Sequence, residues 1–325
     1  MQTRELGQGL VSSAIGLGCM SMSGQYGAFD DKESCATLRR AVDAGVTFFD
    51  TADVYGPFAN EALVGRELAH ARDRVLISTK FGLVRTSTGQ HLGINGRGDY
   101  VRHSCDLSLQ RLGTDRIDIY WQHRVDPEVP IEDTVGAMSD LVRAGKVRFI
   151  GLCEAGSTTI RRAHAVHPLS AVQHEYSLWA RDVEAEVLPT LRQLGIGLVA
   201  YSPLGRGFLT GRIADLADLS DDDYRRRDPR FQGGAFAHNL ELVRRVEGIA
   251  ADIGCSPAQL SLAWVLAQGD DIVPIPGTKR RKYLDENLQA LQIAFTADQS
   301  RALNEVLRTE VVDGERYSDM SSIGR

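Results

Sequence analysis

The chain has 325 residues, 43% apolar and 25% charged, and a formal net charge of −6. A chain of that length buries a core large enough to fold without metals or disulfides, and its negative balance excludes a global basic field for nucleic acid or anionic membrane. The five cysteines, at 19, 35, 105, 153 and 255, are odd in number and lack metal-ligand spacing, so no metal and a reduced, cytoplasmic setting are expected.

The opening run Met1–Glu5 has no apolar core of the signal-peptide kind, and no stretch approaches the roughly 20 apolar residues of a spanning helix. Arg4–Leu17 sets Gly7-Gln8-Gly9 between two β-like runs, which reads as a hairpin plugging a barrel bottom. From there short apolar runs alternate with amphipathic stretches. Strands are expected at Ala14–Gly18, Thr47–Thr51, Val75–Lys80, Ile117–Gln122, Val147–Leu152, Ala171–His174, Leu198–Ser202 and Ile272–Pro276. Their near-continuous apolarity suits strands buried on both faces. Helical periodicity falls at Lys32–Ala44, Asn60–Ala69, Tyr100–Leu112, Ile131–Ala144, Ser157–Ala165, Val183–Leu194 and Pro257–Ala267. Asp30 or Asp31, Gly45, Gly145 and Ser256-Pro257 punctuate it.

This alternation predicts an α/β fold, a closed (β/α)₈ TIM barrel, as one domain over residues 1–325. An open doubly wound sheet would carry Gly-x-Gly-x-x-Gly after its first strand. Gly16-Leu17-Gly18-Cys19-Met20 lacks the third glycine and the helix behind it. The connections Phe81–Asp99 and Gly205–Asn239 are long for a compact domain. Both leave strand C-terminal ends, where barrels build their sites, and both read as lids.

Three neighbouring strands end in Asp50-Thr51-Ala52-Asp53-Val54-Tyr55-Gly56, Ser78-Thr79-Lys80-Phe81 and Tyr120-Trp121-Gln122-His123. Asp50, Tyr55, Lys80 and His123 should therefore meet on one rim. A lone Lys, His or Tyr at a strand end is ordinarily solvated or packed. Four ionisable groups on three successive strands form a constellation with a chemical use. An ammonium favours a phenolate and lowers the phenol pKa, a carboxylate keeps that ammonium charged, and an imidazole polarises a carbonyl oxygen. The loops after the seventh and eighth strands are the usual phosphate end of such barrels. Ser202–Gly207 brings Arg206 there, and Lys279-Arg280-Arg281-Lys282 opens the last barrel helix. Four cations are more than a pyrophosphate needs and suit a ribose 2′-phosphate.

The run Asp50–Gly56 followed by Asn60-Glu61 resembles the signature of the aldo-keto reductases. So do Gly16–Met20, Tyr201-Ser202-Pro203-Leu204-Gly205-Arg206-Gly207 and Ile275-Pro276-Gly277-Thr278-Lys279-Arg280, all in family order. The likeness is to the branch with the Gly-Thr-Lys-Arg cofactor signature. It implies a barrel holding NADPH without a Rossmann domain, and a catalytic tetrad of Asp50, Tyr55, Lys80 and His123 with Tyr55 as proton donor. It assigns Thr278, Lys279 and Arg280 to the 2′-phosphate, Glu286 and Asn287 to the adenine, Tyr201 to nicotinamide stacking, and Gln173 to the carboxamide. Gly18, Cys19, Met20, Asp50, Ser202, Pro203, Leu204, Gly207, Gly277 and Tyr283 complete the implied cofactor site. Cys153 stands where many members have Ser; its thiol is the weaker donor, which Glu154 would assist. Arg230, between Pro229 and Phe231, is placed over the pyrophosphate.

Tyr26, Phe58 and Phe81 are expected to line the substrate pocket with Met20, and Trp121 to be barrel core. Such a pocket has few polar anchors and suits assorted aldehydes and some ketones. The implied function is NADPH-dependent carbonyl reduction on a small-molecule substrate, with no nucleic-acid or membrane partner. Two alternatives share the fold: a regulatory NADPH-binding subunit like the potassium-channel β-subunits, and an NAD-dependent sugar or alcohol dehydrogenase. A Schiff-base lysine chemistry is disfavoured, because Asp50 would keep Lys80 charged.

Overall fold

The computed structural model describes residues 1–308 and 312–325. The hairpin is formed by β1 (Thr3–Gly7) and β2 (Leu10–Ser13), with Gln8 (φ 55°) and Gly9 (φ 76°) making its turn. The barrel begins with β3 (Leu17–Gly18), β4 (Phe48–Asp50) and β5 (Leu76–Phe81). A second hairpin, β6 (Leu83–Arg85) with β7 (His91–Ile94), rises directly from β5. The barrel continues with β8 (Ile117–Gln122), β9 (Val147–Cys153), β10 (Ala171–Glu175), β11 (Gly197–Tyr201) and β12 (Ile272–Pro274).

All neighbours in the order β3-β4-β5-β8-β9-β10-β11-β12 run parallel. Gly16 N–H donates to the Pro274 carbonyl at 2.9 Å and Gly18 N–H to that of Pro276 at 3.2 Å, which joins first strand to last. The sequence's eight strands are thus present within a few residues, and the fold is the expected (β/α)₈ barrel.

Strand alternation sorts the apolar residues into two cores. Phe48, Leu76, Ile119, Trp121, Ala171, Val199 and Val273 point inward and pack under Leu6 and Leu10 of the hairpin, so the barrel bottom is plugged as expected. Phe49, Ile77, Tyr120, Ile150, Val172 and Leu198 point outward into the helical layer.

That layer comprises α1 (Asp31–Asp43), α2 (Ala59–Leu68), α3 (Gly98–Leu112), α4 (Ile131–Arg143), α5 (Ser157–Val166) and α6 (Val187–Leu194). It closes with α7 (Gly233–Ile253), α8 (Pro257–Ala267), α9 (Arg281–Leu288) and α10 (Ala297–Arg308). The Ser256 hydroxyl and the Gln259 side chain cap α8 reciprocally. The connection Gly205–Asn239 is shorter than the sequence suggests, because α7 starts at Gly233 and packs Phe236, Leu240, Val243, Val246 and Ala250 at helical spacing. Among the described residues no single helix is long and apolar enough to cross a membrane.

Candidate active site

Inward alternation on β4 and β5 fixes the chemistry at the rim. Phe48 and Asp50 face the interior, as do Leu76, Ser78 and Lys80, and Asp50 pairs in register with Ser78. Asp50 is buried, and its carboxylate accepts from Lys80 Nζ, from Ser78 Oγ at 2.6 Å and from Gln173 Nε2 at 3.1 Å. The Lys80 ammonium, 1% exposed, also donates to the Thr51 carbonyl at 2.8 Å and to Tyr55 Oη at 3.3 Å. Its donors are therefore all used, one of them on the phenol. His123 meets the Tyr55 ring edge-on at 6.1 Å between centroids, and its buried Nδ1 has no partner among the described residues. The four residues expected to converge do so.

Their electrostatics differ from the simple expectation at one point. Burial pushes the Tyr55 phenol up to about 12, against the downward pull of Lys80. The phenol thus holds its proton through neutral pH rather than being activated below the ordinary value. Burial pulls the Lys80 ammonium down, but Asp50, Tyr55 and Cys153 outweigh it and hold the pKa above the usual lysine value. His123 lies well below the ordinary imidazole range through burial, then through Arg124, Lys80 and Arg85. The rim therefore presents a protonated phenol, a locked ammonium and a neutral imidazole.

A cleft of about 630 Å³ opens above these groups and runs from His123 to Asn287. Gly18, Met20, Tyr26, Gln173 and Tyr201–Leu204 line it, as do Arg206, Gly207, Gly277–Arg280, Tyr283 and Glu286. Ser202 (φ 48°) and Arg206 (φ 57°) hold left-handed backbone there, turning the chain sharply off β11. Of the four expected cations, Lys279 and Arg280 reach the cleft. Lys279 Nζ donates to the Tyr26 and Gly27 carbonyls at 2.7 and 3.1 Å. Arg281 turns away onto Glu33 at 2.9 Å, and Lys282 is exposed outside the lining.

Several assigned residues lie elsewhere. Phe81 alternates outward from Lys80 and stacks on Tyr120 at 4.8 Å in the helical core, so it is not a pocket residue. Phe58 precedes α2 at φ 68° and packs beneath the Arg111 guanidinium, 5.2 Å from its ring, outside the cleft. The Cys19 thiol is buried onto the Leu17 carbonyl at 3.6 Å, and Cys153 belongs to the inner core, where burial lifts its thiol to about 12. Arg230 lies behind the wall, paired with Glu175 at 3.4 Å. Arg206 reaches the cleft with its charge already matched by Asp228 and Glu175. Glu154 is engaged by Arg316 at 3.0 Å on each oxygen and by Tyr201 Oη at 2.8 Å, leaving it no role toward a carboxamide. Trp121 is inner core, as expected.

The cleft also contains residues not singled out from sequence: Arg85 on β6, Arg124 beside His123, Arg212 and Tyr317. Arg124 directly follows a tetrad member, and that adjacency is a signal available in the sequence. Tyr317 arrives from a segment without strand or helix pattern and meets Tyr201 Oη at 2.9 Å.

Similarity supports the geometry. The model of the aldo/keto reductase family matches residues 14–308. The glycerol dehydrogenase AKR11B4 from Gluconobacter oxydans superposes with a TM-score of 0.86 at 26% identity, covering 98% of this chain and 99% of that one. A thermostable aldo-keto reductase, Tm1743, solved with the inhibitor epalrestat, superposes at 0.75 and 29% identity, covering 94% and 100%. Fold, rim and match agree, and the chain belongs to the aldo/keto reductase family.

Proposed function

We propose that the chain reduces aldehydes and some ketones with NADPH, with Tyr55 donating the proton. The observation that carries this reading is the line Asp50–Lys80–Tyr55, with Lys80 Nζ 3.3 Å from the phenol oxygen beneath the cleft. The residues fit an extended dinucleotide. Ser21 Oγ is buried without a partner on the cleft wall beside the exposed Gly277. Lys279 and Arg280 put positive charge at the far end, where a 2′-phosphate is matched better than a hydroxyl. When bound, the reduced cofactor supplies hydride.

The chain's own part is acid catalysis and orientation. His123 is neutral and lines the cleft, where its ring can steer a carbonyl oxygen toward Tyr55. Lys80 donates to the Tyr55 oxygen, and so stabilises the phenolate left behind when the proton departs. The reverse reaction uses the same groups, and likeness to a glycerol dehydrogenase makes alcohol oxidation the second reading.

A screen of aldehydes with NADPH and NADH, and of glycerol with the oxidised cofactors, separates the two by nicotinamide absorbance. Tyr55→Phe should bind NADPH as wild type does and lose about 10²–10⁴-fold in kcat. Near wild-type turnover by that variant would remove Tyr55 from the role.

A further inference from the structure

We infer that the substrate carries a carboxylate, held by Arg124 with help from Arg85. The inference rests on the reductase reading of the same cleft and names its substrate class. Two guanidinium groups from separate elements line the cleft beside His123 and Tyr55: Arg85 at the end of β6 and Arg124 directly after His123. Arg124 is 9% exposed, and among the described residues the one hydrogen bond its guanidinium makes is from Nη1 to the His123 carbonyl at 2.7 Å. Its guanidinium also faces the Tyr317 ring at 5.7 Å. Arg85 Nε is buried without a partner among the described residues. Among the described residues neither arginine makes an ion pair.

The carboxylates around this corner are already taken. Asp50 holds Lys80, both Glu154 oxygens hold Arg316 at 3.0 Å, and Glu175 holds Arg206 and Arg230 at 3.4 Å. Asp126 accepts from the backbone N–H groups of Gly96 and Glu128 at 2.7 and 2.9 Å. Nearby groups, Glu154 among them, outweigh burial and keep Arg124 charged, yet no carboxylate bonds its donors among the described residues, and its planar fork matches a carboxylate in two parallel bonds. Both cations also bear on the imidazole, which they help to keep neutral. The corner therefore offers a neutral ring to the carbonyl and a positive fork to an anion one residue away. The pocket is less permissive than its apolar lining suggests from sequence.

The test compares 4-carboxybenzaldehyde with methyl 4-formylbenzoate, which differ in the charge and share the aldehyde. With NADPH, wild type should favour the acid by at least about tenfold in kcat/KM. Arg124→Gln should drive that ratio toward one, mainly through the KM of the acid. Arg124→Lys should restore part of it, and Arg85→Gln should lower it less. Calorimetry of benzoate against benzamide on the NADPH-bound protein gives a readout independent of turnover. Benzoate should bind to wild type and be lost in Arg124→Gln.

An acid-to-ester ratio near one in wild type overturns the inference and leaves the reductase reading intact. An unchanged ratio in Arg124→Gln, or a weakened NADPH Kd that accounts for its whole effect, also overturns it. Benzoate binding without turnover of either aldehyde keeps the anion site and sinks the reductase reading. Absence of both sinks the two together. If Arg124→Gln does not fold, the wild-type ratio and Arg85→Gln decide.

Discussion

Asp50 and Asp53 stand three positions apart in one run and are equally buried, at 3% and 4% exposure, yet their partners are opposite in kind. Asp50 accepts from Lys80, Ser78 and Gln173. Asp53 lies in a second pocket near Glu61, whose oxygens are taken by Thr79 Oγ1 at 2.6 Å and Arg111 Nε at 2.5 Å. Among the described residues its Oδ1 has no partner. Burial, then the Glu61 charge, lift the Asp53 carboxyl to about 8. Equal depth thus leaves two buried acids in unlike settings, because their donors differ. The Asp50 pocket supplies an ammonium, a hydroxyl and an amide; the Asp53 pocket sets a second carboxylate nearby.

Breaking the first pocket should have the largest effect. Lys80→Met removes the charge partner of the buried Asp50, at a cost of about 3–5 kcal/mol in stability. It also removes the one downward pull that a neighbouring ammonium exerts on Tyr55, so the phenol rises further above about 12. Alcohol oxidation, which needs the phenolate, should then begin only at higher pH. Reduction should fall by about 10³-fold, within the range of acid catalysis plus lost charge stabilisation. Steady-state pH profiles in both directions check this, and an unchanged oxidation limb would make Lys80 structural.

The same contrast between matched and unmatched charge divides the cation run. Arg281 is neutralised by Glu33, whereas Arg280 is exposed in the cleft. Lys279→Ala with Arg280→Ala should weaken NADPH by about 10–100-fold, as for one or two charge-assisted bonds after desolvation, and leave NADH nearly unchanged. Arg281→Ala with Lys282→Ala should alter neither. Fluorescence titration of both cofactors distinguishes these outcomes, and equal loss of both would exclude a 2′-phosphate site.

The smallest effect sharpens the second pocket. Asp53 has a folded pKa of about 8, above its ordinary 3.8. Between those values the unfolded chain has released the proton while the folded chain keeps it. Stability therefore falls as pH rises through this window, by at most about 1.4 kcal/mol per pH unit. Asp53→Asn should flatten that slope, with the gain over wild type largest near pH 8 and above. Urea unfolding across the window measures it; a wild-type slope retained by Asn would assign the fall to another group.

The strands and the four rim residues were legible because barrel strands are apolar on both faces and end in register. What the sequence concealed was orientation and distant supply. Lys80 and Phe81 are adjacent, and strand alternation sends one to the chemistry and the other to the helical core. The β6–β7 hairpin that carries Arg85 has strands of only three and four residues, too short for their periodicity to show beside the polar turn between them. The first turn of α7 begins at two glycines, which mark a break even where a helix follows. Tyr317 and Arg316 reach the site by tertiary contact alone.

The closure of the barrel has a kinetic consequence. Asp50, Tyr55, Lys80 and His123 stand on or just beyond β4, β5 and β8, which follow one another in the barrel sheet and span only residues 48–123. The cleft instead needs residue 18 to meet residue 277, the most distant pairing in the barrel. Bringing such remote segments together costs chain entropy that only the finished contacts offset. On topology alone, the proton-handling half of the molecule is free to assemble early, and the phosphate end waits for the last seam to zip.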